Sequence, residues 1–199
     1  MHIQETIVLI GTGKNGRLAA VSLQACRYQL LLCDKNFIQA RELAQEFNST
    51  ACGCVAEAME CSFNCAWEAD IIILTPDFEE QLEVARYIKA VANQKLLISV
   101  YDDGNSNSGD EGISSTQQID LIRDILPNTK IALIKFATAR CDKGLKTNAI
   151  ENIEIYSREQ NTLDTVAGIF KNSGVENVKK ELLSLTPNML QPESIDPKC

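Results

Sequence analysis

The chain has 199 residues, 45% of them hydrophobic, and a formal net charge of -8. That length and apolar content support one domain with a sizeable core, and the acidic balance argues against a nucleic-acid or anionic-membrane surface. No apolar run reaches the roughly 18 residues of a membrane span, and no charged segment followed by a long apolar stretch opens the chain, so the expected compartment is the cytoplasm.

Thr6–Ile10 is an apolar run and reads as the first strand. The loop Gly11-Thr12-Gly13-Lys14-Asn15-Gly16 follows, then a helical pattern over Asn15–Arg27 with Ala19, Leu23 and Cys26 on one face. Gln29–Cys33 reads as the second strand, and Phe37–Phe47 as a helix with Ala40, Leu43, Ala44 and Phe47 facing inward. A short third strand is expected within Ser49–Val55, then a helix over Ala56–Trp67. Ala69–Leu74 is almost wholly apolar, as suits a parallel strand covered on both faces. Thr75-Pro76 breaks the pattern. A helix is expected from Asp77 or Phe78 to about Val91, a fifth strand over Lys95–Val100 and a polar loop over Tyr101–Ser114. Further on come a helix at Ser115–Leu126, a strand at Ile131–Phe136, a strand at Ile153–Tyr156, a helix at Thr162–Lys171 and a strand at Val175–Lys180. This alternation predicts an α/β, Rossmann-type doubly wound, mostly parallel sheet in one domain over residues 1–185. The tail, 186–199, carries Pro187, Pro192 and Pro197 and reads as irregular.

The glycine loop is a G-x-G-x-x-G fingerprint between a strand and a helix, the context that gives the motif its meaning. Gly11 suits the tight turn, Gly13 a close approach to a pyrophosphate, and Gly16 close packing of helix on sheet. The helix N-terminus then offers N–H groups and a positive dipole end to the phosphates. Asp34 closes the second strand about 20 residues further on, where a carboxylate receives a ribose 2′-OH and favours NAD. Lys35 beside it could instead serve the 2′-phosphate of NADP. Thr75 and Pro76 end the fourth strand, at the sheet edge where ligands sit.

The only histidine is His2, ahead of the first strand, so His-based triads are excluded. Tyr101, Asp102, Lys135 and Cys141 remain as candidate proton donors, none with a confirming motif, and no catalytic residue is assigned. Eight cysteines are present, and the expected compartment keeps them reduced. Cys52, Cys54, Cys61 and Cys65 do not have the paired C-x₂-C spacing of a zinc site, and no metal site is assigned. On a helix, Met59, Phe63, Ala66 and Trp67 would form the core stripe and leave Cys61 and Cys65 partly exposed. The loop Asp103–Asn107 resembles the start of a calcium loop but fails at Ser108, where glycine is needed, and at Ser114, where the bidentate glutamate belongs.

Several segments together resemble the coenzyme F420-dependent NADP oxidoreductase family and the nucleotide-binding domains of the STEAP metalloreductases. They are IVLIGTGKNGRLA, EADIIILTP, LLISV with its polar loop, PNTKIALIKFAT, NIEIYS and SGVENVKK, reaching to about Leu185. The resemblance implies a compact Rossmann-type enzyme, often a homodimer, that moves hydride between a nicotinamide and a flavin or deazaflavin such as F420. It carries Gly11, Thr12, Gly13, Lys14 and Asn15 over as pyrophosphate-loop residues, with Thr75 and Pro76 beside the cofactor. Three positions depart from the family pattern. Its Ser-Arg after the second strand is here Asp34-Lys35. The aspartate and asparagine of its fifth-strand motif become Ser99 and Asp102. Its K-[AG]-F-N becomes Lys135-Phe136-Ala137-Thr138.

The leading reading is therefore an NAD(P)-dependent oxidoreductase whose second reactant is a flavin-like ring or a small carbonyl or imine. The competing reading is a non-catalytic NAD(P)-binding sensor or interaction module. A dehydrogenase of the pyrroline-carboxylate or 6-phosphogluconate type would need an added helical domain, for which the 199 residues leave no room.

Overall fold

The computed structural model describes residues 5–24, 28–50, 55–101, 113–138, 150–172 and 174–184. Cys26, Cys52, Cys54, Asp102, Cys141, Cys199, His2, the loop at 103–107 and the tail from 186 lie outside them. The elements in chain order are β1 (Thr6–Ile10), α1 (Lys14–Ser22), β2 (Gln29–Cys33), α2 (Phe37–Thr50), β3 (Val55–Met59), α3 (Ser62–Glu68), β4 (Ile71–Leu74), α4 (Phe78–Ile88) and β5 (Leu96–Tyr101). They continue with α5 (Ser115–Ile125), β6 (Lys130–Thr138), β7 (Ile150–Ser157), α6 (Gln160–Asn172) and β8 (Asn177–Leu182).

The strands form one eight-stranded sheet in the order β3-β2-β1-β4-β5-β6-β7-β8. The first six in that order are parallel; β7 runs antiparallel to β6, and β8 parallel to β7. The apolar runs of β1, β2 and β4 are buried on both faces, as expected of a parallel sheet between helix layers. Ile7, Leu9, Leu30, Leu32, Ile71 and Ile73 face α1, α2 and α6. Val8, Ile10, Leu31, Ile72 and Leu74 face α3, α4 and α5. The expected doubly wound, mostly parallel sheet is thus the architecture observed. Between β1 and β4 the chain changes direction across the sheet, and the carboxyl ends of these strands open a crevice where such folds bind ligands.

Two element boundaries correct the sequence reading. The third strand is Val55–Met59, so Ala56–Met59 is strand and not the start of a helix. Pairing of Val55–Met59 with Gln29–Cys33 outweighs the helical preference of Ala, Glu and Met. The Asn48 side chain fixes that register: its amide donates to the Ala56 carbonyl and its oxygen accepts from the Ala56 N–H, each at 2.8 Å. The first helix closes at Ser22, with Leu23 as its C-cap and not a mid-helix residue.

Arg158 joins the later elements. Its buried guanidinium donates two parallel hydrogen bonds to Asp120 on α5, at 2.9 and 2.7 Å, and one to the Ser184 carbonyl at 2.8 Å. Among the described residues, no helix is long and apolar enough to cross a membrane.

Candidate functional site

The glycine loop is held from below. Gly11 turns through φ +97°, a left-handed conformation that favours glycine, and a Cβ there would meet Thr75 Oγ1 at 2.6 Å. At Gly16 a Cβ would lie 2.1 Å from the Gly11 carbonyl oxygen, so only glycine lets α1 pack this close to the loop. The Gly11 N–H donates to the Cys33 carbonyl at 2.8 Å. Thr75 is buried, and its hydroxyl points to the carbonyls of Gly11 at 2.7 Å and Ile10 at 3.2 Å. Thr75 therefore supports the loop from within the fold and does not present its hydroxyl to the crevice.

Gly13 is the N-cap of α1, is exposed, and has nothing within 4 Å of a notional Cβ. Among the described residues no side-chain cap bond is made at this helix start, and no acidic residue lies in its first turn. The partial positive charge of the helix start is left available to an anion. This open, uncapped N-terminus beside a flat glycine fits the phosphates of a dinucleotide.

Thr12 and Asp34 form one unit. Asp34 Oδ2 accepts from the Thr12 N–H at 2.6 Å and from the Thr12 hydroxyl at 2.7 Å, while Oδ1 accepts from the Asn36 N–H at 2.8 Å. The donors of Thr12 thus face the carboxylate, and the loop positions left facing outward are Gly13, Lys14 and Asn15. Lys35 is exposed and ion-paired with Glu80 at 3.1 Å.

Two cavities flank the loop and meet at Pro76. The larger, about 560 Å³, lies toward β5 and α5 and is lined by Lys14, Asn15, Pro76, Phe78, Tyr101 and Gln118 among others. The smaller, about 270 Å³, lies toward β2 and α3 and includes Gly11, Asp34, Lys35, Pro76, Glu80 and Tyr87 in its wall. The sequence-derived residues are therefore gathered at one edge of the sheet, with Tyr101 in the larger cavity. Lys135 stands beside Tyr101 in register on β6 and opposite Glu154 on β7.

Sequence reasoning missed Gln81. It is 1% exposed, donates to the carbonyls of Pro76 at 2.8 Å and Val100 at 2.9 Å, and accepts from the Ser99 hydroxyl at 2.6 Å. These bonds tie the turn after β4 to the end of β5 and shape the larger cavity. The signal was present: Gln81, Ala85 and Ile88 share the buried stripe of α4, and a glutamine on such a stripe needs partners.

The expectation of partial exposure holds for Cys61 and is corrected for Cys65. Cys65 is fully buried in the core beneath β2, whereas Trp67 is 69% exposed. Helix α3 begins at Ser62, so Met59 belongs to a strand and cannot extend a helical stripe. The Cys65 thiol hydrogen-bonds that of Cys33, and this bond with burial pushes its pKa up, so Cys65 stays protonated. Cys61, half-buried, has its pKa lowered by the Asn64 N–H and then by the Tyr87 hydroxyl, 3.8 Å from its sulfur.

Comparison with solved structures matches the fold to dehydrogenases and reductases. A protein from Arthrobacter sp. FB24, provisionally assigned as an F420-dependent NADP reductase, superposes with a TM-score of 0.65 at 13% identity, covering 87% of this chain and 83% of that one. A pyrroline-5-carboxylate reductase from Coxiella burnetii gives 0.64 at 14% identity, covering 90% and 59%. Prephenate dehydrogenase from A. aeolicus gives 0.64 at 11% identity, covering 92% and 60%, so the chain spans about three fifths of these two proteins. Comparison with curated protein sequences found no match. The family model described as NADP oxidoreductase, coenzyme F420-dependent, matches residues 6–102, from β1 through the glycine loop to the end of β5. Over those residues the chain is similar to that family of NADP oxidoreductases, in the part that carries the glycine loop.

Proposed function

We propose that the chain is an NAD(P)-dependent oxidoreductase whose dinucleotide crosses the glycine loop, with its adenosine half in the smaller cavity and its nicotinamide half in the larger. The single observation that carries this reading is the meeting of two cavities over an uncapped helix N-terminus. Gly13, Lys14 and Asn15 then bind the pyrophosphate, Gly11 and Gly16 give the loop its shape, and Asp34 and Lys35 face the adenosine ribose. Pro76 separates the two halves, and Thr75 holds the loop from below.

A bound nicotinamide supplies or accepts the hydride, and the protein holds the two reactants in contact. Phe78, Val100 and Ile113 give the larger cavity an apolar wall that accepts a flat flavin or deazaflavin ring such as F420. For a carbonyl or imine acceptor, the Tyr101 phenol at the cavity wall holds the proton that the product needs.

The test is turnover. Purified protein with NADH or NADPH and a panel of FMN, FAD, F420 and small carbonyls or imines should consume the reduced nicotinamide, followed at 340 nm. Binding with no turnover across the panel would favour the non-catalytic sensor. No binding of either nucleotide would sink both readings. Tyr101→Phe should lower kcat at least tenfold with a carbonyl and leave flavin reduction unchanged. The homodimer and the cytoplasmic site implied at the sequence level belong to the same proposal, and sedimentation equilibrium tests the first.

A further inference from the structure

We infer that the smaller cavity is built for an adenosine ribose with a free 2′-hydroxyl, so that this member of an NADP-described family takes NAD(H). The inference rests on the dinucleotide reading above and concerns which of two ligands that site accepts.

Three observations carry it. First, the Asp34 carboxylate is fixed before any ligand arrives. Its two oxygens offer about four lone-pair directions, and Thr12 N–H, Thr12 hydroxyl and Asn36 N–H occupy three. One acceptor position remains on a half-buried group that lines the cavity, enough for a ribose hydroxyl donor. A phosphate ester has no proton to offer at neutral pH beyond its second ionisation near 6, and would face a carboxylate that cannot swing away.

Second, the rest of the wall has the same sign. Glu60, Glu80 and Glu83 join Asp34 around the cavity, and Lys35 is the one cation among its described lining residues. A 2′-phosphate adds about -1.5 to -2 charges to that enclosure. Third, Lys35 already has a carboxylate partner in the same wall. Its ammonium is paired with Glu80 at 3.1 Å, so recruiting it to a phosphate would strand the Glu80 carboxylate in an already acidic wall.

The ligands that isolate this end of the molecule are ADP-ribose and 2′-phospho-ADP-ribose, titrated into the full chain by calorimetry. The expected result is at least tenfold tighter binding of ADP-ribose, with the gap narrowing as salt is raised from 20 to 500 mM because part of it is screened repulsion. Glu80→Gln, on a surface-reaching side chain that does not support the glycine loop, releases Lys35. It should tighten the phosphorylated ligand severalfold more than it tightens ADP-ribose. Asp34→Ser combined with Glu80→Gln should close the gap. Equal or tighter binding of 2′-phospho-ADP-ribose by the unaltered protein overturns the inference and leaves the dinucleotide reading standing. Binding of neither ligand overturns both.

Discussion

A single methyl group at Gly16 would undo the loop. The Cβ of Gly16→Ala would sit 2.1 Å from the Gly11 carbonyl oxygen and 2.9 Å from its carbon, backbone atoms that cannot move aside as a flexible side chain would. We expect a loss on the order of 2 kcal/mol or more, read as a lower urea midpoint. Gly13→Ala meets nothing within 4 Å and should cost under about 1 kcal/mol, while weakening NADH binding under the proposed pyrophosphate role. The same resolution applies to sulfur. The Asn64 N–H and the Tyr87 hydroxyl stabilise the Cys61 thiolate, whereas burial and the Cys33 thiol keep Cys65 protonated. Among Cys33, Cys61 and Cys65, iodoacetamide should label Cys61 first, as seen by peptide mass spectrometry. Because a lowered pKa means the thiolate persists to lower pH, the labelling rate should reach half its maximum below the usual thiol range near 8.5. Tyr87→Phe should move that midpoint back up; labelling of Cys65 ahead of Cys61 would contradict the assignment.

At the scale of elements, Gln81 is the joint between α4 and β5. Gln81→Leu keeps the volume but leaves the Pro76 and Val100 carbonyls and the Ser99 hydroxyl without their partner. The expected cost is roughly 2–4 kcal/mol by denaturant unfolding, well above that of Ser99→Ala, which removes one of the three bonds. What the sequence disclosed, and what it did not, divides along the same line between local and distant causes. β1 and β2 are apolar after one polar residue and β4 is apolar throughout, so their type and nearly their bounds could be read without partners. VAEAM at β3 could not, because it is a strand through pairing with β2 and through Asn48, both set by tertiary contact. The glycine loop was legible because its spacing encodes a backbone shape. Thr12 and Thr75 were assigned to the right neighbourhood, but the direction of their hydroxyls depends on residues 22 and 64 positions away, which no local pattern records.

Across the whole molecule, the pairing of β5 through β8 is reinforced by a buried cation between α5, α6 and the chain after β8. Arg158 reaches Asp120 with a fork of two bonds and the Ser184 carbonyl with a third, so α5, the start of α6 and the end of β8 share one guanidinium. Asp120→Ala would strand that charge at a site where the side chain is 5% exposed. We expect a loss of about 3 kcal/mol and faster hydrogen exchange in β8 than in β1. Arg158→Met, which removes the charge itself, should cost less than Asp120→Ala; the reverse order would show that the pair contributes net attraction rather than mutual neutralisation.

The wall at Pro76 has a consequence for how affinity is assembled. Because the two cavities are distinct hollows that meet at Pro76, a dinucleotide bound as proposed is divisible, and AMP and NMN should each bind alone, more weakly than the whole and without excluding the other. Joining them turns the second contact into an intramolecular one, so the ratio of NAD+ affinity to the product of the fragment affinities is an effective concentration. A rigid ridge between pre-shaped hollows should set that value high, and it reports the stiffness of the crevice without any catalytic assay.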